Sequence, residues 1–190
     1  MMTAAEFAER RHDLPDGGRW TELVAGELKT LHPPDDRHGN VVLNLSKAVA
    51  GVLQPSSSSF AGFELGVQTH RDPDTVRFPA MSLFTSGDRF ARIDAIYVSQ
   101  TPSLVVEVVS TNDRRTSIAE RVYEYHGMGV EKVWVADPHG ESVTVLRRRA
   151  PPITFTGRER LTDVALLPGL EIDVVDLFAE PAWWRGKRKE

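Results

Sequence analysis

Glu107 stands inside the run Leu104-Val-Val-Glu-Val-Val-Ser110, with apolar residues on both sides. A carboxylate buried without a partner is costly, so a strand of this composition normally excludes one. Two explanations are open. Glu107 is either an edge-strand or ion-paired glutamate, or a metal ligand or acid–base group held on a rigid strand. Ser110 reads as a strand-to-helix turn residue whose hydroxyl can help orient Glu107. No elbow glycines flank it, which argues against a Ser110–His38–Asp hydrolase triad. His38 opens a helix, where it either contacts phosphate or caps the helix on the surface. Arg114 and Arg115, just past the Glu107 strand, are better placed for phosphates than the Arg147–Arg149 run, which reads as a solvated strand end. Trp134 reads as core, and Trp183-Trp184 as a terminal packing or self-association element, compatible with a homodimer. There is no P-loop, GxGxxG or HExxH spelling. With no cysteine, disulfides, thiolate zinc sites, iron–sulfur clusters and cysteine nucleophiles are excluded.

The elements that must carry these groups can be read from patterning. Thr3-Ala-Ala-Glu6 spells a capping box and predicts a helix over about Thr3–Arg11. Trp20–Leu31 suggests two short strands around Ala25-Gly26. Val41, Leu45, Val49 and Val52 recur at helical spacing between Arg37 and Leu53. Phe63–Gln68 alternates as a strand, Asp72-Pro73-Asp74 is a turn, and Val76–Phe84 reads as the return strand. Leu104–Ser110 is β-branched enough to be a central strand buried on both faces. A helix is expected over Ser117–Met128, a buried strand over Lys132–Ala136, and its hairpin partner over Ser142–Arg148. Ile153–Phe155, Glu171–Val174 and a short helix near Val175–Phe178 complete the order. Strands, a strand–helix–strand unit, then strands again predict an α/β fold: one mixed sheet with helices packed on it.

The 190 residues are 41% hydrophobic and 26% charged, as in an ordinary globular domain. The formal charge of −4 means that any nucleic-acid role rests on a local patch. No run approaches the length of a membrane helix, and Met1–Arg10 does not read as a secretory signal, so a cytoplasmic protein without membrane contact is expected.

Taken in order, Glu22-Leu-Val-Ala-Gly26-Glu27, His38, Val76-Arg77-Phe78-Pro79, Glu107-Val-Val-Ser110, Arg121-Val-Tyr123 and Gly129-Val-Glu-Lys-Val-Trp134-Val-Ala-Asp137-Pro138 resemble the Uma-type endonucleases. These form a restriction-endonuclease family within the PD-(D/E)XK nuclease superfamily. The resemblance runs roughly from Trp20 to Phe178 and is most specific over Pro102–Pro138. It implies a restriction-endonuclease-like mixed β-sheet core flanked by helices, a single domain over residues 1–180, followed by a charged tail over 181–190. It also implies a DNA endonuclease that hydrolyses phosphodiesters with Mg²⁺ or Mn²⁺. Glu107 and Glu22 would be its metal ligands and catalytic acids. Arg121 would stand where the family carries the motif lysine on the following helix.

Two positions depart from that pattern. Ala80 follows Pro79 where the family has an aspartate, and alanine cannot ligate a metal. Arg121 keeps a positive charge but cannot be deprotonated. Asp88 or Asp94 could supply a replacement carboxylate, and an acid restored at position 80 is expected to strengthen metal binding. The competing reading is a catalytically inactive nuclease-fold module that grips nucleic acid or a protein partner. In a purely structural reading, both glutamates are tied up by basic side chains. In the enzyme reading, they form an acidic pocket with Arg121 nearby, and at least one has a raised pKa unless Arg121 compensates it.

Overall fold

The computed structural model describes residues 1–54, 58–87 and 95–183. Asp88, Asp94, Trp184 and the tail 185–190 lie outside the described residues. The chain opens with α1 (Ala4–Arg10), where the Thr3 hydroxyl accepts from the Glu6 amide and the Glu6 carboxylate accepts from the Thr3 amide. Strands β1 (Thr21–Val24) and β2 (Glu27–Thr30) form a hairpin, turned by Ala25 and Gly26 at φ 49° and 76°. Helix α2 (Asp36–Val52) follows, its first turn capped by the Asp35 carboxylate on the His38 amide. Then come β3 (Phe60–Phe63), β4 (Gly66–His70), β5 (Thr75–Arg77), β6 (Met81–Phe84), β7 (Tyr97–Val98) and β8 (Leu104–Val108). Helix α3 (Asn112–Met128) leads to β9 (Lys132–Asp137), β10 (Ser142–Arg147), β11 (Ala150–Thr156), β12 (Arg160–Asp163), β13 (Leu167–Asp173) and α4 (Val174–Leu177).

The α/β class holds, but the single sheet expected from the patterning is three. A five-stranded sheet runs β2-β1-β5-β4-β7, a six-stranded sheet runs β11-β10-β9-β8-β6-β3, and β12 pairs with β13. The expected strand Val76–Phe84 breaks at Pro79. Proline has no N–H to donate to a ladder, and the chain leaves β5 in one sheet to enter β6 in the other. The expected strand Phe63–Gln68 divides in the same way at Glu64, which turns the chain at φ 52°. The helix expected from Ser117 begins at Asn112. Its first turn is polar, so no apolar stripe announces it, and Thr111 supplies the extended N-cap conformation.

β8 is central, parallel to β9 and antiparallel to β6, and buried throughout. Leu104, Val106 and Val108 face the main core, where Val41, Leu45 and Val49 of α2 pack beside Trp134. Val105 faces the other way, against Val122 and Tyr125 of α3. Strand alternation then puts Glu107 on the α3 side of the sheet. β11 closes one edge of the six-stranded sheet with mostly exposed residues. No helix among the described residues is long and apolar enough to cross a membrane.

Candidate active site

Glu22 and Glu107 come from different sheets, on β1 and β8, and both are buried at 2% and 3% exposure. One side chain joins them. Arg121 donates from one terminal nitrogen to Glu107 Oε1 at 3.1 Å and from the other to Glu22 Oε2 at 2.7 Å. Its Nε donates to Ser117 Oγ at 3.2 Å. Ser117, Arg121 and Tyr125 are spaced four apart on α3, so one buried stripe delivers all three to the seam between the sheets. The Tyr125 hydroxyl donates to Glu107 Oε1 at 2.6 Å.

Arg77, at the end of β5, is the second cation. It donates to Glu22 Oε2 at 3.1 Å and grips Glu124 with a fork, Nε to Oε2 at 2.8 Å and Nη2 to Oε1 at 2.7 Å. Glu120 accepts from the same Nη2 at 3.0 Å, and the Phe78 amide donates to Glu22 Oε1 at 3.2 Å. Burial lowers the pKa of Arg121, but Glu107 and Glu22 outweigh it and hold that pKa well above the ordinary value. Arg77 is likewise depressed by burial and raised further by Glu124 and Glu22. Tyr125 is pushed well up, by burial first and then by the Glu107 charge. The three sequence-derived site residues therefore meet. The partners that sequence reasoning missed are Arg77, Glu124, Glu120, Tyr125 and Ser117.

The ladder between β6 and β8 pairs Met81 with Val106, Ser82 with Val105 and Leu83 with Leu104, and Ala80 lies just before it. Ala80 is buried and belongs to the main apolar core.

His38, Ser110, Arg114 and Arg115 lie just past the C-terminal end of β8, the end that carries Glu107. His38 is buried, with Nε2 3.2 Å from Glu64 Oε1 and Nδ1 3.5 Å from Ser110 Oγ. This chain ties the β8–α3 turn to α2 and to the β3–β4 turn. His139 reaches the Ser110 carbonyl oxygen through Nε2 at 3.0 Å, and its Nδ1 lies 3.2 Å from Arg37 Nη1. Arg114 donates to the His32 carbonyl and the Thr111 hydroxyl. Arg115 donates to the Val109 carbonyl and to Asp137. Both arginines are anchored to the protein at the start of α3. Arg147–Arg149 is exposed at the β10–β11 turn, Trp134 is core, and Trp183 is 68% exposed.

This mixed α/β framework, with Glu22 and Glu107 converging beside α3, belongs to a known class. The chain is a member of the Uma2 family, described as "Putative restriction endonuclease", whose model matches residues 6–175. It also resembles a solved structure, "a putative nuclease belonging to DUF820 from Anabaena variabilis ATCC 29413". The TM-score is 0.75 at 20% identity, over 94% of this chain and 98% of that one, a likeness of fold. No curated protein matches the chain.

The restriction-endonuclease-like class generally uses a divalent cation, but the residues present here do not fit one. Glu22 Oε2 is shared by two guanidinium groups, and Glu22 Oε1 takes the Phe78 amide. Glu107 Oε1 takes Arg121 and Tyr125. Ala80 offers no side-chain oxygen. Among the described residues, no three His, Cys, Asp or Glu side chains are grouped to hold a metal ion.

Proposed function

We propose that this chain is a nuclease-fold module that binds nucleic acid without cutting it by the metal-dependent route. The observation carrying this reading is the capture of Glu22 and Glu107 by one buried guanidinium, that of Arg121. Carboxylate oxygens already taken by charge-assisted hydrogen bonds from arginine have little capacity left for a hard cation. The family supports nucleic acid as the partner. The exposed Arg147–Arg149 run supplies a local basic patch on a chain of net charge −4.

The endonuclease reading, with Mg²⁺ or Mn²⁺ on Glu107 and Glu22, keeps one observation in its favour: the two acids still converge. It requires Arg121 to withdraw from both. Supercoiled-plasmid nicking with Mg²⁺ and with Mn²⁺, beside duplex binding in chelator, separates the two. The proposed function gives binding without nicking. Nicking that depends on added metal and disappears in Glu107→Ala overturns it in favour of the enzyme. A chain that neither nicks nor binds points to a protein partner.

A further inference from the structure

A chain of net charge −4 attracts a polyanion only where cations stand clear of acids. Those beside the seam do not. Arg77 and Arg121 are buried on Glu22, Glu107, Glu120 and Glu124. Arg115 spends one terminal nitrogen on the Val109 carbonyl and Asp137, and Arg114 is held by the His32 carbonyl and the Thr111 hydroxyl.

The hairpin tip between β10 and β11 differs. Arg147 pairs with Ala150, so Arg148 and Arg149 form the two-residue turn. Arg148 braces this tip: its amide donates to the Glu131 carbonyl at 3.1 Å, and its guanidinium lies 3.5 Å from the Glu131 carboxylate. Arg147 and Arg149 are exposed, and their side chains have no hydrogen bond or ion pair among the described residues. Two unpaired guanidinium groups thus leave one braced tip, each a planar fork suited to a phosphate.

The strand ladder places this tip away from the buried acids. Arg147 is level with Lys132 and, one strand further, with Leu104, whereas Glu107 is level with Val135. Ordinary strand rise and spacing put the Cα atoms of Arg147 and Glu107 about 14 Å apart. The two also face opposite ways. Val143 and Val145 point into the main core, so alternation sets Arg147 on that side, while Glu107 is on the α3 side.

We infer that Arg147 and Arg149 grip backbone phosphates of a nucleic acid at this tip, at the opposite end and on the opposite face of the sheet from Glu107. The inference rests on the reading of the chain as a nucleic-acid binder, and adds to it that the nucleic acid is held outside the seam of Glu22, Glu107 and Arg121. Phosphate contacts carry no sequence information, so binding follows backbone charge rather than base identity.

The test is fluorescence-anisotropy titration of a labelled DNA duplex with the full chain in chelator, repeated over a range of NaCl concentrations. Each phosphate contact contributes about 0.9 to the slope of log affinity against log salt. Arg147→Gln/Arg149→Gln should weaken binding equally for unrelated sequences and make that slope shallower by about 1.8. If this double variant melts early, the single variants Arg147→Gln and Arg149→Gln take its place, each lowering the slope by about 0.9. Arg147→Lys/Arg149→Lys should keep the native slope, because lysine keeps the charge. Lys47→Gln/Arg71→Gln removes the same charge from two other exposed positions and should keep it as well. A native chain that binds duplex while Arg147→Gln/Arg149→Gln keeps the native slope overturns the inference and leaves the nucleic-acid reading standing. A slope lost equally in Lys47→Gln/Arg71→Gln also overturns it, since net charge alone then explains the effect. A native chain that binds no duplex fails the nucleic-acid reading itself. Capture by phosphatidylserine vesicles in its place, dependent on the same two arginines, would give the tip to a membrane surface.

Discussion

Arg77 and Arg121 donate to the same atom, Oε2 of Glu22, at 3.1 and 2.7 Å. Two guanidinium groups on one oxygen repel each other, and Arg121 does lower the proton affinity of Arg77. They stay because Glu124 and Glu120 flank Arg77 while Glu107 flanks Arg121. In the seam between the two large sheets, Glu22 and both arginines each face more than one opposite charge, and the members of this network should couple when mutated.

Arg121→Met removes the cation and leaves Glu107 with only the Tyr125 hydroxyl among its side-chain partners. Breaking one side of a buried pair typically costs about 3–5 kcal/mol. Urea denaturation should show a loss of that order, and Arg121→Lys a smaller one, because lysine keeps the charge but not the fork. A loss within the range of a surface substitution would show that the network is not holding the sheets together.

Tyr125→Phe deletes a hydrogen bond to a charged acceptor, worth roughly 1.5–3 kcal/mol. The phenol pKa is raised in the folded state, so its contribution to stability is fully present below the ordinary value of 10.0 and fades as pH rises above it. Alkaline titration followed by ultraviolet absorbance should show Tyr125 ionising only as the chain unfolds. Early ionisation of all three tyrosines would contradict the burial of this hydroxyl.

Ala80→Asp puts a carboxylate into the main apolar core, so unfolding should need less urea than in the native chain. Arg121 still holds Glu22 and Glu107, so calorimetry should detect no Mn²⁺ uptake. Mn²⁺ binding by Ala80→Asp by itself would mean that Arg121 yields its place readily.

Asp113 near the start of α3 is held down to about 2. Burial opposes this, but the Thr111 hydroxyl and the His32 and Arg114 amides outweigh it. A lowered carboxyl pKa gives stability that is fully present above the ordinary value of 3.8 and lost as pH falls toward about 2. Asp113→Asn should flatten the acid limb of a stability–pH curve over that window. An unchanged slope would assign acid unfolding to other carboxylates.

Glu107 was legible because a lone acid in an apolar strand is costly, and the helical spacing of α2 was legible from its valines. Arg77 carried a similar signal in the opposite sign, at the end of β5 with Val76 before it and Phe78 after it. That signal does not name partners: Arg77 meets Glu22, Glu120 and Glu124, while the cation that meets Glu107 is Arg121 on α3. Tyr125 carries no such signal in the sequence, because nothing local distinguishes a hydroxyl that meets a carboxylate from one that meets water. The division into sheets was hidden because alternation continues across Pro79 and Glu64, while sheet membership is decided by long-range pairing.

The outer edge of the six-stranded sheet has a further consequence. β11 begins Ala150-Pro151-Pro152, so two consecutive positions on that strand have no N–H to offer an incoming backbone. An exposed edge is otherwise a template on which another chain can zip up, the first step of strand-swapped assembly and of fibre growth. Here the lattice of donors is interrupted at the start of the strand, and the register with β10 already shifts between Val145 and Arg147. The largest sheet is thereby guarded against self-propagating growth at that end, and self-association must use some surface other than a continuous strand ladder along β11.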